Sequence, residues 1–257
     1  VRTMVLDGVV DPALGFEEFL EGQAVAFESA FDRSAQQCAA AGPDVCGVTD
    51  LADAYDQVAA AVDTAPLSGG DVPVGPAVLS TAAISATYGP EGWRELGPAL
   101  AQALDGDGGG LWDLAAAYYD FGGFTSYAAV VCIDSPPPRG ADDYRRFAQS
   151  ARDAAPRFGG AVANELLACA TWPVPPVGDA EALQGVGAPP VLVIGNTGDA
   201  ATPYENAVTV AARLASGVLV TVESDGHTAV GSNTCVDALV ERYLIQLTVP
   251  APDTRCN

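Results

Sequence analysis

The sequence contains no lysine, only one histidine (His227), and no Cys-x-x-Cys pair among its six cysteines. The absence of lysine excludes a Schiff base, a phosphate-loop lysine and a serine–lysine dyad. A single histidine without paired cysteine spacing argues against a zinc site of the usual kind, and neither a metal nor a cofactor is predicted. No apolar run is long enough to cross a bilayer as a helix, so no membrane span is predicted.

The chain is strongly acidic. The 257 residues include 33 acidic and 11 basic side chains, which give a net charge of -22. Such an acidic surface repels phosphate backbones, so nucleic acid is not an expected partner. A hydrophobic fraction of 49% with 17% charged residues predicts a globular chain with a sizeable core. The even number of cysteines favours an extracytoplasmic protein with disulfides, either secreted or in the cell envelope.

Strand patterns lie near both ends of the chain, and helical patterns lie between them. Residues 3–10 form a short apolar run, Pro190–Gly195 a continuous one that ends at glycine, and Gly217–Val222 a third. Strands that alternate with helices predict an α/β fold with a parallel sheet and right-handed crossovers. The predicted division is a core strand at 1–11, a helical cap at 12–187, and a C-terminal core at 188–257.

Several local signals add detail to this prediction. Thr49 is the expected cap of a helix that starts near Leu51, and the Gly/Pro-rich residues 66–75 are expected to form a loop. Thr202 is expected to cap the next core helix, with Glu205 completing a capping box. Three strands are too few for a free-standing sheet under this much helix, so further strands are expected upstream of the chain.

Two loops carry the residues predicted to be catalytic. Asp199 lies in the loop 196–203, directly after one predicted strand, and His227 lies in the loop 223–228, directly after the next. In doubly wound sheets, functional groups lie just beyond the carboxyl ends of the strands. An acid followed by a histidine is the second half of the Ser…Asp…His order of α/β-hydrolases. Asp225 is a competing acid only two residues from His227, but its expected role is local loop structure.

The nucleophile of such a triad is not evident in the chain. No Gly-x-Ser-x-Gly motif occurs; Ser68 and Ser126 lie nearest to glycine- or turn-rich contexts, and neither fits a strand–turn–helix elbow. The elbow follows an earlier strand of the sheet, so the serine is expected upstream of Val1, and the chain alone is expected to be inactive.

Four segments resemble the tripeptidyl-aminopeptidase-like (TAP-like) family of α/β-hydrolases. They are VRTMVLDGVVDP at 1–12, GDAATPYENA at 198–207, DGH at 225–227 followed by NTC at 233–235, and the tail VPAPDTRC at 249–256. The resemblance covers the whole chain but only the later half of a full-length member. It implies the C-terminal part of a hydrolase sheet with a large, mostly helical cap. The implied activity is that of a secreted serine exopeptidase, which releases short peptides or single residues from the N-termini of peptide substrates.

The resemblance also implies a disulfide pattern, which cysteine spacing alone leaves open. The implied pairs are Cys38–Cys46, Cys132–Cys169 and Cys235–Cys256. The cap of the family would lie over the active site, where carboxylates can contact the free amine of the substrate. The sequence does not choose among the candidates, which are Glu17, Glu18, Asp113, Asp120, Asp134 and Glu165.

Other functions remain open at this point. An esterase or lipase-like hydrolase on the same fold differs mainly in the shape of the cap. A non-catalytic fragment or binding module is compatible with the missing elbow. A glycosidase with paired carboxylates leaves His227 without a role.

Overall fold

The computed structural model describes residues 1–177 and 183–257; the predicted cap therefore includes residues 178–182, which lie outside the described part. The main sheet is parallel, in the order β1-β4-β5-β6, with helices in the connections. Its strands are Met4–Asp7 (β1), Val191–Gly198 (β4), Gly217–Asp225 (β5) and Thr254–Cys256 (β6). The predicted parallel α/β arrangement is confirmed, and β6 is a strand that the sequence did not indicate.

A block of helices, here called the cap, connects β1 to β4. It contains the α-helices Phe16–Ala41 (α1), Pro43–Cys46 (α2), Leu51–Thr64 (α3), Pro76–Thr87 (α4), Trp93–Leu104 (α5), Gly109–Gly122 (α6), Phe124–Asp134 (α7), Ala141–Ala154 (α8) and Gly159–Glu165 (α9), a 3-10 helix at Leu167–Thr171, and the strands Leu67–Gly69 (β2) and Val72–Val74 (β3). Two further helices, Tyr204–Arg213 (α10) and Thr234–Gln246 (α11), follow β4 and β5 respectively.

The central strand β4 explains why the predicted apolar run is a strand. It lies between β1 and β5, and all of its residues except Thr197 are buried. A strand that is covered on both faces has a continuous apolar sequence. Gly195 lets α10 pack closely, since a Cβ added there would lie 2.6 Å from the side chain of Ala207. The loop that carries Asp199 therefore begins at the end of a buried strand inside the sheet.

Two local expectations about the cap are wrong, and one helix of the cap has no recognisable sequence pattern. Residues 66–75 contain the antiparallel hairpin β2–β3, whose three-residue strands are too short for a period to be recognised. Helix α7 shows no helical period in the sequence, because its run Tyr127–Ile133 is apolar throughout. Asp50, not Thr49, caps α3: its carboxylate accepts the backbone N–H groups of Ala52 and Asp53.

All six cysteines form disulfides, in the pairs that the family resemblance implies. Cys38–Cys46 connects the end of α1 to α2, Cys132–Cys169 connects α7 to the 3-10 helix, and Cys235–Cys256 connects α11 to β6. Two bridges therefore lie within the cap and one within the sheet region. Among the described residues, none of the helices combines the length and the apolar character that crossing a membrane requires.

The buried apolar residues form one large cluster in the cap and two small clusters on the faces of the sheet. Ala200 and Ala201, which follow β4, belong to the cluster of the cap. Ala229, which follows β5, belongs to a sheet cluster with Val222 and Val236. The two loops that carry the predicted catalytic residues are thus packed into different cores.

Candidate active site

Asp199 lies in a buried turn directly after β4. Its side chain is 1% exposed. Oδ1 accepts the backbone N–H groups of Ala201 and Thr202 at 2.9 and 2.8 Å, and Oδ2 accepts the Thr202 hydroxyl at 3.2 Å. A buried carboxylate needs such donors, because burial without them is costly. The turn therefore fixes the carboxylate and leaves it in reach of one further donor.

That donor is His227. Its Nδ1 lies 3.0 Å from each carboxylate oxygen of Asp199. The imidazole is 23% exposed, and no residue in the described part of the chain forms a hydrogen bond with Nε2. An Nδ1–H held by a carboxylate leaves Nε2 as the proton acceptor, which is the arrangement of a general base. The structure thus brings together the two residues that were predicted to act as a pair.

Three elements hold the loop of His227. The Asn196 amide, in β4, donates to the carbonyls of Gly226 and Thr228 at 2.9 and 3.0 Å. The Asp7 carboxylate, at the end of β1, accepts the backbone N–H groups of Ala229 and Val230. The His227 backbone N–H donates to the carbonyl of Tyr88 in the cap at 3.0 Å. The backbone of the histidine loop is therefore fixed mainly from the sheet.

Two glycines allow the backbone to approach the imidazole closely. Gly226 has φ +96°, and a Cβ there would lie 2.9 Å from the carbonyl oxygen of Tyr88. Gly8, just after β1, has φ +69°, and a Cβ there would lie 2.8 Å from Cε1 of His227. A side chain at either position would be strained and would displace the ring or the cap.

Thr202 does not cap the following helix as expected. Pro203 occupies the N-cap position of α10 without a side-chain capping bond, so the predicted capping box with Glu205 is wrong. The Thr202 hydroxyl lies instead 3.2 Å from Asp199 Oδ2 and 3.3 Å from His227 Nδ1. The Thr202 hydroxyl donates to the Asp199 carboxylate and is therefore part of the site.

Asp225 has a wider role than the local one expected. Its carboxylate accepts Arg33 Nε at 2.6 Å and the Gln37 amide at 3.1 Å, and both partners belong to helix α1. Asp225 therefore binds the cap, whereas Asp199 binds His227. No sequence pattern indicates these partners, or the roles of Asp7 and Asn196, because each partner is distant along the chain.

Ser68 and Ser126 both belong to elements of the cap. Ser68 is in β2, where its hydroxyl donates to the Gly70 carbonyl at 3.3 Å. Ser126 is exposed in the first turn of α7. Neither follows a strand of the main sheet, so neither lies at a nucleophile elbow.

Tyrosines extend from His227 into the cap. The Tyr88 ring packs edge-on against the imidazole with a centroid distance of 5.5 Å, and Tyr118 packs on Tyr88 at 5.7 Å. Burial raises the pKa of Tyr88 to about 12, and the charges of Glu165 and Asp199 add to the effect while a hydrogen bond with Tyr118 opposes it. Tyr88 and Tyr118 thus form a continuous aromatic contact from His227 to the cleft that Glu165 also lines.

Glu165 differs from the other cap carboxylates that were considered. Glu17, Glu18, Asp113, Asp120 and Asp134 are exposed, whereas Glu165 is only partly exposed. Burial raises the pKa of Glu165 to about 7. Its side chain lines a cleft of about 860 Å³ together with Tyr118, Tyr119 and Phe124. Glu165 is thus the one candidate of the six that faces a partly enclosed site near the tyrosines.

The parallel sheet with helices in its connections is that of an α/β-hydrolase. Within this class, residues 155–256 match the family described as TAP-like protein. The chain is 34% identical over 274 residues to a protein named carboxylesterase B of Mycobacterium tuberculosis H37Rv, with 100% of this chain and 52% of that protein covered.

Two further relatives carry peptidase names. Identity is 33% over 282 residues to serine protease Hip1 of Mycobacterium tuberculosis H37Rv, which is covered to 53% of its length. It is 33% over 273 residues to tripeptidyl aminopeptidase of Streptomyces lividans, which is covered to 50%. The whole of this chain is aligned in both cases. The predicted resemblance is confirmed: the chain carries a TAP-like domain of the α/β-hydrolase class, and it spans about half the length of these curated relatives.

Proposed function

We propose that Asp199 and His227 are the acid and the general base of a serine hydrolase whose nucleophile lies upstream of Val1 in the natural-length protein. The observation that carries the proposal is the position of His227 Nδ1, 3.0 Å from both oxygens of a carboxylate that is 1% exposed. Serine-hydrolase names among the relatives support it. The three disulfides support an extracytoplasmic site of action, secreted or in the cell envelope.

The proposed reaction is acyl transfer through His227. Nε2 accepts the proton of the serine hydroxyl as the oxygen attacks the substrate carbonyl, and the imidazolium that forms is stabilised by Asp199. The same proton then passes to the leaving amine, which leaves an acyl-enzyme. Water hydrolyses this acyl-enzyme in a second, similar step and releases the acyl product. The donors from Ala201 and Thr202 hold the carboxylate in one position throughout.

We further propose that the substrate is a peptide with a free N-terminus, bound through its ammonium group by Glu165. A partly buried carboxylate with a raised pKa gains stability when a cation neutralises it, so an ammonium is its natural ligand. The tyrosines between Glu165 and His227 would line the path of the few residues between the amine and the scissile bond. A fixed distance between the amine site and the base makes the enzyme an exopeptidase.

An esterase is the second candidate, since one relative is named a carboxylesterase. An uncharged acyl group gains nothing from the Glu165 carboxylate, and this favours the peptidase. A non-catalytic role would leave the contact between Asp199 and His227 without a purpose, because a buried carboxylate that is already satisfied by its own turn needs no histidine.

A fluorophosphonate probe tests the hydrolase part of the proposal. The natural-length protein should be labelled at a serine upstream of Val1, and His227→Ala should abolish labelling because the serine loses its base. The matched control is Gln57→Ala, at an exposed amide of α3, which should keep full labelling. Labelling within residues 1–257, or undiminished labelling of His227→Ala, would contradict the assignment of the triad.

Paired substrates test the role of Glu165. For a tripeptide anilide with a free N-terminus, Glu165→Gln should lower kcat/KM by about 10- to 100-fold, since a charge-assisted contact is lost. The N-acetylated tripeptide anilide should be a poor substrate of the wild type and insensitive to the substitution. Equal losses for both substrates would assign Glu165 to the structure of the cap, and faster turnover of a simple acyl ester would favour the esterase.

A further inference from the structure

Helix α1 of the cap contacts both loops of the acid–histidine pair. The Gln23 amide donates to the Ala201 carbonyl at 2.9 Å, in a buried position. Ten residues along the helix, Arg33 Nη2 donates to the Gly198 carbonyl at 2.9 Å. Gly198 and Ala201 lie on either side of Asp199, so two side chains of one rigid helix hold the turn that carries the acid.

The second contact of Arg33 reaches the other loop. Its Nε donates to Asp225 Oδ1 at 2.6 Å, and the Gln37 amide donates to Oδ2 of the same carboxylate at 3.1 Å. Asp225 ends β5, two residues before His227. A guanidinium is a planar fork with donors in fixed directions, so it fixes the distance between the two acceptors it binds. Arg33 thus connects the carbonyl next to Asp199 with the carboxylate next to the histidine turn.

Packing supports this role of α1. Ala200 and Ala201 are buried in the hydrophobic cluster of the cap, to which Phe27, Ala30 and Phe31 of α1 also belong. In contrast, the small clusters of the sheet contain neither alanine. The acid turn is therefore seated in the cap by apolar contact as well as by hydrogen bonds, although it leaves from the sheet.

We infer that Gln23 and Arg33 are positioning residues, which set the geometry of Asp199 and His227 from the cap. The inference rests on the proposed function of that pair, and it adds that the cap is part of the catalytic framework as well as a cover. The side chains of Arg33 and Asp225 are 36% and 29% exposed, so their pairing contributes modestly to overall stability. The effect of losing the fork should therefore fall on the geometry of the pair more than on folding.

The test uses the natural-length protein with 15N-labelled histidine, in which the resonances of His227 are assigned by their loss in His227→Gln. The Nδ1–H proton that is bound to Asp199 should give a low-field signal. Arg33→Met should shift or broaden this signal and lower kcat by about 10- to 100-fold, with KM changed less than about twofold. Arg33→Lys should give an intermediate kcat, because a lysine supplies the charge without the fork.

The controls separate position from general stability. Arg145→Met removes an exposed arginine of α8 that pairs with Asp142, and it should change neither kcat nor the signal. Gln23→Met, which keeps the volume, should also perturb the signal, whereas Gln57→Met at an exposed site of α3 should not. Asp225→Asn combined with Arg33→Met should cost less than the product of the two single losses, because both remove one contact.

Two results would overturn the inference. One is an Arg33→Met protein with unchanged kcat and an unchanged His227 signal. If Arg33→Met does not fold, the other is the same pair of unchanged values for both Arg33→Lys and Asp225→Asn. Failure of the proposed function gives a different pattern, since His227→Gln would then keep its turnover whatever Arg33 does.

Discussion

The two loops of the candidate site differ in what holds them. The turn of Asp199 packs into the core of the cap, and α1 binds the carbonyls on either side of it. The loop of His227 is held by Asp7 and Asn196 from the sheet, and Ala229 packs into a sheet cluster. The two loops meet at His227 Nδ1, which contacts the Asp199 carboxylate and the Thr202 hydroxyl.

The difference places the acid–histidine pair at the boundary between two cores. A substitution in the cap should displace the acid, and one in the sheet should displace the histidine. Both should appear as a loss of the same hydrogen bond. A backbone hydrogen bond, from the His227 N–H to the Tyr88 carbonyl, also connects the histidine loop to the cap. The mutual position of the cap and the sheet therefore determines the contact between Asp199 and His227.

The largest effect should come from the residue that joins the two loops. Asp199→Asn keeps the shape of the side chain, but its amide would donate to Nδ1 and force the proton onto Nε2. We expect kcat to fall by about 10⁴-fold, because that tautomer cannot accept the serine proton. The rate on a free-amine tripeptide anilide measures it. Asp142→Asn, at an exposed site of α8, is the control, and a loss of less than about tenfold for Asp199→Asn would mean that another group orients His227.

The sheet side of the comparison depends on Asn196. Asn196→Leu removes the donor to the Gly226 and Thr228 carbonyls without a large change of volume. The free energy of unfolding should fall by roughly 1–3 kcal/mol, since buried acceptors lose their partner. In addition, kcat should fall by about 10- to 100-fold as the imidazole moves. Denaturant titration and steady-state kinetics measure the two effects.

Gln149→Leu, at an exposed amide on α8, is the control for Asn196→Leu. A variant that is destabilised but fully active would show that the sheet does not orient His227. Only the contacts from the cap would then remain as determinants of the geometry of the pair.

Two buried alanines test the comparison through packing. Ala200→Val adds volume to the cluster of the cap, and Ala229→Val adds it to a sheet cluster. Each should cost about 1–3 kcal/mol of unfolding free energy, because both sites are fully packed. Hydrogen exchange should increase in α1 for the first variant and in β5 and α11 for the second. Ala39→Val, exposed on α1, should change little; the same exchange pattern in both variants would mean that the two cores behave as one.

The sequence predicted Asp199 and His227 because each directly follows an apolar strand, and strand ends meet at one edge of a parallel sheet. It could not predict Arg33, Asn196 or Asp7, since their partners are fixed only by how the cap lies on the sheet. The sequence predicts the wrong role for Thr202, because there the local pattern is clear but a tertiary contact overrides it. The local pattern Thr-Pro-x-Glu is a good capping signal, but a hydrogen bond to a buried carboxylate in the preceding turn took its hydroxyl.

The sequence does not predict the short elements of the cap, because they lack a recognisable pattern. The β2–β3 hairpin has only three residues in each strand, and α7 is apolar on all sides. Neither shows the alternation of polar and apolar residues on which a sequence-based prediction depends. The disulfide pattern, in contrast, came from the family resemblance and not from spacing.

The smallest expected effect concerns stability in the cap. Burial raises the pKa of Glu165 from its ordinary value of 4.5 to about 7, so the folded protein binds this proton more tightly than the unfolded chain. The free energy of unfolding should therefore fall as pH rises between these two values and then level off. Glu165→Gln removes this contribution, and the variant should be more stable than the wild type at pH near 8, with little difference at pH near 4.

Denaturant titration across this pH range measures the slope, and Glu17→Gln, at an exposed site in the first turn of α1, should leave it unchanged. Because Glu165 belongs to the cap, the gain in hydrogen-exchange protection at pH near 8 should appear in α9 and its neighbours, and not in β5. A wild type and a Glu165→Gln variant with parallel pH curves would show that the carboxylate is solvated in the free protein. The ammonium of a substrate would then gain nothing from its burial, and the argument for a free-amine substrate would lose its main support.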